Sequence, residues 1–253
     1  MSDDERFHAS LVALNRLIRG GAFPGETREV AGWLLTDAGT GLASLNQAFV
    51  IDPALAAASL SLVERWFDGR ADGFRAILRD SADAPVIAAA TSRGYAAVRS
   101  QPLMAAKQPL PQYEIPAGFV AAPVQSAQDI RDYLGVREPS PSRPSDETEG
   151  EFIAAVMATG RFRYFVARHG NRPVATASAA LAEDVVHVSN VWVADDARRK
   201  GLGAAMTALA AAAFDGTGWA ALEASAMGEP VYRRMGFEER YRYVQMSQPD
   251  EPG

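Results

Sequence analysis

Three cations and two glycines lie together between an apolar run and an alanine-rich run of the sequence. They are Arg198, Arg199, Lys200, Gly201 and Gly203. Glycine allows backbone conformations that other residues avoid, so several successive N–H groups can point at one spot. A helix that begins there adds the positive end of its dipole. The pattern therefore predicts an anion site, most naturally for phosphate, while a tight turn with solvated cations is the plainer alternative.

Two nucleotide-binding loops compete for the same glycines. A P-loop needs Gly-Lys-Ser/Thr at its end, whereas two alanines follow Gly203. A dinucleotide-binding loop fits better, because Gly201 and Gly203 open the helix and Glu223 lies about 20 residues further on, where a ribose-binding acid would stand. However, Met206 replaces the third small residue, and a charged stretch separates the strand from the first glycine. The dinucleotide-binding loop is therefore the weaker alternative.

The residues around this loop predict the elements that hold it. Apolar and β-branched runs indicate strands at residues 161–170, 172–182, 184–193, 219–225 and 240–246. Alanine and leucine indicate a helix over residues 201–214, and Pro230 opens a short helix that Gly236 ends. A meander followed by helix, strand, helix and strand is an α/β layer pattern.

Two other stretches have the composition of connections. Five prolines from Pro102 to Pro123 would interrupt helices and strands, which suits a connector between two units. The polar run from Arg137 to Glu151 indicates a loop that leads into a helix over residues 147–159. This loop is a candidate substrate-side segment, and an ordinary surface loop is the alternative.

Two segments of the second half resemble one known family. The stretch VWVADDARRKGLGAA is similar to the acetyl-CoA signature of the Gcn5-related N-acetyltransferases (GNAT), in which Arg198, Gly201 and Gly203 fill the three fixed places. The stretch EASAMGEPVYRRMGF resembles the family segment in which a strand end precedes a short helix that carries Tyr and terminates in Gly-Phe. Here the tyrosine is Tyr232 and the glycine is Gly236. The resemblance covers roughly residues 162–246.

The resemblance implies an α/β fold, with a mixed and mostly antiparallel sheet flanked by helices, and acetyl-CoA as co-substrate. The backbone of the strand before the loop would bind the pantetheine arm, where two neighbouring strands splay apart. The amides from Arg199 to Ala204 would hold the pyrophosphate. Ser225 stands where many relatives have Asn, and serine is shorter. The implied cofactor-binding residues are Val191, Val193, Arg198, Arg199, Lys200, Gly201, Gly203, Ala204 and Ser225.

The implied reaction is direct transfer of the acetyl group to the primary amine of a small molecule, which must lose its proton to attack. Tyr232 matches the family's acid beside the thioester sulfur, and the Val193 amide would polarise the thioester carbonyl. Glu223, at a strand end, is the first candidate for the base. His187 is the second, because strand alternation places it on the face of Val191 and Val193. Ordered water, with structural roles for these side chains, is the alternative.

The first half has the same order of elements as the second. Aligning Val50, at the end of the run LASLNQAFVIDP, with Val193 brings Gly94 to within about one residue of Gly236. A helix over residues 53–67, a strand over 73–79 and a helix over 84–93 lie between. A fixed offset over several elements suggests an internal repeat. An unrelated domain of helices and strands is the alternative.

The chemistry of the second half is not repeated in the first. Residues 55–60 contain neither glycine nor cation, and Ala90 stands where Tyr232 would be expected. We therefore predict a tandem acyl-CoA N-acyltransferase (GNAT) fold. Residues 1–113 form its degenerate domain, without a cofactor loop, and residues 114–253 form its catalytic domain. The degenerate domain would pack against the catalytic one and shape the acceptor pocket.

Composition excludes several function classes. The 253 residues contain no cysteine and three scattered histidines, so neither disulfides nor a metal site are expected. The net charge of −6 argues against broad nucleic-acid binding. An acidic N-terminus and the lack of a long apolar run indicate a cytoplasmic protein without membrane contact. The oligomeric state stays open, a homodimer included. The rival function is a non-catalytic acyl-CoA-binding sensor or partner module.

Overall fold

The computed structural model describes residues 1–19, 25–37, 39, 45–70, 73–137 and 145–248. Residues 42–44, at the start of the first-half strand that the sequence predicts, lie outside this range, as do residues 138–144 of the predicted polar loop. The chain divides into two compact units. The first comprises Met1–Leu103 and Arg240–Gly253, and the second comprises Met104–Glu239. The functional division at residues 113 and 114 stays a prediction.

Helices and strands alternate along much of the chain. The helices are α1 (Asp3–Arg19), α2 (Pro53–Phe67), α3 (Ala84–Ser92), α4 (Ala127–Gly135), α5 (Asp146–Ala158), α6 (Leu202–Ala211) and α7 (Glu229–Arg234). The strands are β1 (Glu26–Val30), β2 (Trp33–Asp37), β3 (Gln47–Val50), β4 (Arg75–Arg79), β5 (Ala96–Lys107), β6 (Val120–Pro123), β7 (Phe162–His169), β8 (Arg172–Ala182), β9 (Val185–Val193), β10 (Trp219–Glu223) and β11 (Glu238–Ser247). This arrangement confirms the predicted α/β fold with a mixed sheet flanked by helices.

In the first unit the strand order is β1-β2-β3-β4-β11-β5. The pairs β1–β2, β2–β3 and β4–β11 are antiparallel, whereas β3 and β4 are parallel because α2 connects them. The core is rich in aromatic residues, with Phe67 stacked on Phe74 and edge-on to Trp66 at centroid distances of 4.6 Å. These contacts hold α2 on one face of the sheet.

In the second unit the strand order is β5-β10-β9-β8-β7-β6. The meander from β6 to β9 is antiparallel, and β9 and β10 are parallel because α6 connects them. Ala175, Ala177 and Ala179 of β8 belong to the same buried cluster as Ala210 and Ala211 of α6. Small side chains on both elements allow α6 to pack closely on this face of the sheet.

The opposite face of the second unit is covered by α4 and α5. Tyr133 of α4 is buried against Tyr164 of β7, with ring centroids 5.2 Å apart. The sheet therefore has α6 on one face and the α4–α5 pair on the other.

The proline prediction is wrong at two positions. Pro102 lies within β5 and Pro123 ends β6. Strand β6 stands at the end of the strand order, where a missing N–H costs least. Between these strands, residues 110–116 have no regular structure, so the connector is shorter than the prolines predict.

Candidate active site

The site begins where β9 and β10 separate. Their parallel pairing joins residues 185–187 to residues 219–221 only, although β9 continues to Val193 and β10 to Glu223. Ala194 N–H donates to the carbonyl of Val174 on β8, at 2.8 Å. Because successive N–H groups point to opposite edges of a strand, the N–H of Val193 points towards the β10 side. The gap therefore presents strand backbone to an incoming ligand.

A bulge in β9 changes which side chains face α6. Ser178 pairs with Ser189 and Thr176 pairs with Trp192, so β9 has one residue more than β8 between these pairs. Asn190 lies in this interval, with a φ of +52°. Such an extra residue shifts the alternation of side chains along the strand.

The bulge overturns the predicted position of His187. Val186 and Val188 belong to the buried cluster beneath α6, and Val191 and Val193 pack against that cluster. His187, between Val186 and Val188, therefore points to the opposite face from Val191 and Val193. Sequence alternation fails here because it assumes an uninterrupted strand. Burial also lowers the pKa of His187 to about 4.

Hydrogen bonds from β8 hold the bulge in place. The Thr176 hydroxyl donates to the Asn190 carbonyl at 2.8 Å, and the Asn190 side-chain amide donates to the Ser178 hydroxyl at 3.2 Å. The hydroxyls of Ser178 and Ser189 lie 2.8 Å apart. These contacts compensate for the ladder bonds that a bulge gives up. Asn190, Thr176 and Ser178 are missing from the motif-based prediction, because a bulge has no sequence pattern of its own.

The loop after β9 leads into α6 without a capping side chain. Asp195–Ala197 form a short 3-10 turn, and Arg199 and Gly201 both have left-handed backbone, with φ of +62° and +81°. Gly201 is the N-cap of α6 and has no side chain to accept the first amides. The first-turn N–H groups of α6 therefore face outward from an open helix start, which is the arrangement that binds anions.

The three predicted cations have different surroundings. Arg198 Nε donates to the Val193 carbonyl at 2.9 Å, and its guanidinium forms an ion pair with Asp195 at 2.8 Å. Arg198 thus fastens the loop to the end of β9. Arg199 and Lys200 are exposed, and in the described part of the chain neither forms an ion pair. Lys200 lies 5.7 Å from the ring centroid of Phe119, a contact that motif spacing does not indicate.

Tyr232 of α7 lies beside α6. Burial raises its pKa above the ordinary value, and hydrogen bonding with Thr207 of α6 opposes this effect. Its ring is edge-on to Phe237 at a centroid distance of 6.0 Å. A tyrosine is protonated at neutral pH at its ordinary pKa of about 10, and burial favours the same form, so this phenol can donate a proton or a hydrogen bond.

Because Gly228 has no side chain, the ring of Tyr232 can pack directly against its backbone. A Cβ at this position would lie 2.7 Å from Tyr232 Cε2 and 3.2 Å from the hydroxyl oxygen. Any larger residue would therefore displace the phenol. The Ser225 hydroxyl accepts a hydrogen bond from the Gly228 N–H at 3.1 Å. Ser225 thus supports the turn before α7, and its contact with pantetheine stays a prediction.

The comparisons with known proteins bear on this geometry. Residues 160–239 match the family model described as "Acetyltransferase (GNAT) domain". A GCN5-related N-acetyltransferase from Kribbella flavida is 25% identical, with a TM-score of 0.76 over 98% of this chain and 96% of that chain. The chain contains a GNAT domain. No curated protein matches the sequence.

Two further structures resemble this chain over most of its length. A tandem GNAT protein from the clavulanic acid biosynthesis pathway is 14% identical, with a TM-score of 0.65 over 96% of this chain and 88% of that one. A GCN5-related N-acetyltransferase from Sphaerobacter thermophilus is 19% identical, with a TM-score of 0.66 over 88% of this chain and 82% of that one. At these identities the likeness concerns the fold alone.

Within the GNAT domain, Glu223 stands apart from Tyr232. Ala220 and Leu222 of β10 face the cluster beneath α6, so Glu223 points to the other face, where it is exposed. Tyr232 packs on the α6 side. The two predicted catalytic residues therefore lie on opposite faces of the sheet, beside the gap between β9 and β10.

Neither a candidate metal-ion site nor a membrane-spanning helix is found among the described residues. Among residues 1–248, leaving out the undescribed segments, no group of three or more His, Asp or Glu side chains could hold a metal ion. In the same part of the chain, no helix is both long and apolar enough to cross a membrane.

Proposed function

We propose that this protein transfers an acetyl group directly from acetyl-CoA to the primary amine of a small molecule. The observation that carries the proposal is the open start of α6 beside the gap between β9 and β10. The first can bind a pyrophosphate and the second can accept an extended arm through strand backbone. A donor that combines both features is coenzyme A carrying an acyl group.

The donor would be bound mainly by backbone. The pyrophosphate would lie on the amides from Arg199 to Ala204, with the exposed charges of Arg199 and Lys200 beside it. Gly203 leaves room for this approach, since its Cα is not shielded by a side chain. Val191 and Val193 would bind pantetheine along the gap. Ser225 supports the turn on the far side of the gap.

Each step of the transfer has a residue of this chain assigned to it. The amine nitrogen attacks the thioester carbon, and the Val193 N–H stabilises the charge that develops on the carbonyl oxygen. The carbon–sulfur bond then breaks, and Tyr232 donates its proton to the departing thiolate. Glu223, or water beside it, takes the proton that the amine loses. Its position on the face opposite α6 suits an acceptor that approaches from that face.

The proposal also includes the charge of the acceptor amine and a cytoplasmic location for the protein. A net charge of −6 favours an acceptor that carries positive charge in solution. A chain without cysteine suits the reducing cytoplasm. We also propose that the first unit is a second copy of the fold that binds no donor.

Isothermal titration calorimetry with acetyl-CoA tests the proposal first. We expect one donor site per chain, and the absence of binding at millimolar donor would end the proposal. A mass-spectrometric screen of amine metabolites with acetyl-CoA then tests the chemistry. Binding without acetylation of any amine in a broad panel would instead support a non-catalytic acyl-CoA-binding module. Repeating the titration with longer acyl-CoA donors tests the choice of acetyl.

A further inference from the structure

The first unit contains a recess lined largely by arginine. The recess has a volume of about 420 Å³, and its charged lining residues are Arg28, Arg65, Arg70 and Asp68. Three cations against one acid is a local excess of positive charge in a protein whose net charge is −6. The arginines come from β1, from the last turn of α2 and from the turn after α2, so the fold and not one sequence run brings them together.

Two of the three arginines have no partner in the described part of the chain. Arg70 forms an ion pair with Glu26 at 2.7 Å and lies over the Trp66 ring at 4.6 Å from its centroid. Arg28 and Arg65 are exposed and form neither an ion pair nor a hydrogen bond among the described residues. Unpaired guanidinium groups around one recess repel each other unless an anion lies between them.

The lining of the recess also includes a buried hydrogen-bond donor that has no partner among the described residues. Trp66 lines the recess and is 6% exposed, and its indole N–H makes no hydrogen bond within the described residues. Buried polar groups are nearly always paired, so an unpaired indole is unusual in a folded protein. The remaining wall is apolar and half-buried, formed by Val30 and Leu62.

We propose that this recess binds a small phosphorylated organic molecule. Arginine binds phosphate oxygens through two parallel hydrogen bonds, which assigns the phosphate to Arg28 and Arg65. The recess is larger than a phosphate ion requires and falls within the range of small-molecule sites. Val30, Leu62 and the edge of Trp66 therefore contact the organic part. The site is separate from the loop before α6 and does not depend on the acetyltransferase activity.

Calorimetry on the full chain with three probes at constant ionic strength tests this site. Phenyl phosphate carries both features, inorganic phosphate carries only the anion, and phenol carries only the ring. We expect phenyl phosphate to bind more tightly than phosphate, and phenol not to bind. Arg28→Gln and Arg65→Gln should each weaken phenyl phosphate binding by about tenfold, since each removes a charge-assisted pair. Arg99→Gln is the matched control, because Arg99 is exposed in the same unit and does not line the recess.

Three outcomes would overturn the proposal. The first is the absence of heat from phenyl phosphate at about 10 mM, the weak end of specific binding. The second is unchanged affinity in the Arg28→Gln and Arg65→Gln variants, which would place the anion elsewhere, for example at the start of α6. The third is equal affinity for phosphate and phenyl phosphate, which would mean that the recess binds free phosphate and that its apolar wall contributes nothing.

Discussion

Helices α2 and α6 follow equivalent strands but begin in opposite ways. Each helix links two parallel strands, β3 to β4 and β9 to β10. Pro53 opens α2, and the Asp52 carboxylate accepts hydrogen bonds from the first-turn amides of Ala54 and Leu55, at 2.9 and 3.3 Å. Gly201 opens α6 without a side-chain cap, and the first turn of α6 has no acidic residue. The start of α2 is therefore capped by an anion of its own chain, whereas the start of α6 has no such cap, as the proposed donor site requires.

The hairpin of β1 and β2 closes the start of α2 further. Gly32, with a φ of +87°, lies so near that a Cβ there would be 2.5 Å from the Asp52 carbonyl oxygen. The amides of Ile51 and Asp52 both donate to the Gly32 carbonyl, at 2.8 and 3.1 Å. The positive end of a helix dipole is therefore common to both regions, and steric access decides which of them can bind a ligand.

The ends of helices α3 and α7 resemble each other more closely than the starts of α2 and α6 do. Tyr95 N–H donates to the Ala90 carbonyl at 3.1 Å, and Phe237 N–H donates to the Tyr232 carbonyl at 3.0 Å. Gly94 and Gly236 have φ of +86° and +91° at the same point of each turn. Ala90 and Tyr232 thus occupy equivalent positions. The shared backbone supports the proposed repeat, and the exchanged side chain separates the two chemically.

The largest effect we expect comes from making Tyr232 chemically like Ala90. Tyr232→Phe keeps the ring contact with Phe237 and removes the proton donor. The turnover number should fall by about 10²-fold, the lower range for loss of general acid catalysis, while acetyl-CoA affinity stays nearly constant. Steady-state kinetics and calorimetry on the same variant measure both. An unchanged turnover number would mean that the open start of α6 suffices and that Tyr232 is structural.

Acid should destabilise both units, because each contains a buried histidine. Burial lowers the pKa of His8, in the first unit, to about 4, with further lowering by the charge of Arg79, and burial alone does the same for His187. The unfolded chain binds a proton near the ordinary histidine pKa of about 6.5, before either folded histidine does. Stability is therefore complete above that pH and is lost as the pH falls towards 4.

The expected loss between pH 7 and pH 5 is about 2 kcal/mol of unfolding free energy for each histidine. Urea denaturation at a series of pH values measures it. His8→Asn and His187→Asn should each make the dependence on pH shallower by about one proton in this range. A slope that stays as steep as that of the unmodified chain in both variants would contradict this origin of the acid sensitivity.

The next effect concerns the backbone of the open helix start. Gly201→Ala places a side chain at a φ of +81°, which costs about 1–2 kcal/mol and should weaken acetyl-CoA binding by about tenfold. Gly216→Ala is the matched control, because Gly216 has a φ of +70° and open space around it, away from the loop. Both variants should lose stability, but only Gly201→Ala should change the dissociation constant. Equal affinity in the two would contradict a binding role for the loop.

The smallest effect should come from removing the anion that caps α2. Asp52→Ala should lower the unfolding free energy by about 1 kcal/mol, as for other lost N-caps, and Asp52→Asn should retain most of it. Calorimetry should still find one acetyl-CoA per chain, because the hairpin continues to cover the helix start. A second donor site in Asp52→Ala would show that the carboxylate alone separates the two regions.

The elements near the motif were predictable because their signals are local. The helix over residues 53–67 and the strand over residues 172–182 occur as predicted, and the helix predicted over 201–214 is observed as Leu202–Ala211. Apolar periodicity and proline positions were sufficient for these assignments. The resemblance to the GNAT family also depends on local spacing, from Arg198 to Gly203 and from Tyr232 to Gly236.

The remaining features depend on contacts between residues far apart in sequence. Gly32 meets Asp52 across a hairpin, and Gly228 matters only because the Tyr232 ring lies against it. The side-chain direction of His187 was wrong because Thr176 and Asn190 maintain a bulge that no periodicity reveals. Local patterns identified the loop, whereas tertiary contacts decide which of its cations are available.

The bulge at Asn190 also makes the length of β9 more critical than its composition. Side chains alternate between the two faces of a strand, so one extra residue moves every side chain beyond it to the other face. Beyond the bulge, conservative replacements would leave each side chain on its present side. Deleting Asn190 would remove the bulge and leave Val188 and Val191 two residues apart, so regular alternation would keep Val186, Val188, Val191 and Val193 on one side. A length change of one residue elsewhere in β9 would instead move the side chains on one side of it to the opposite face, so such changes must come in pairs.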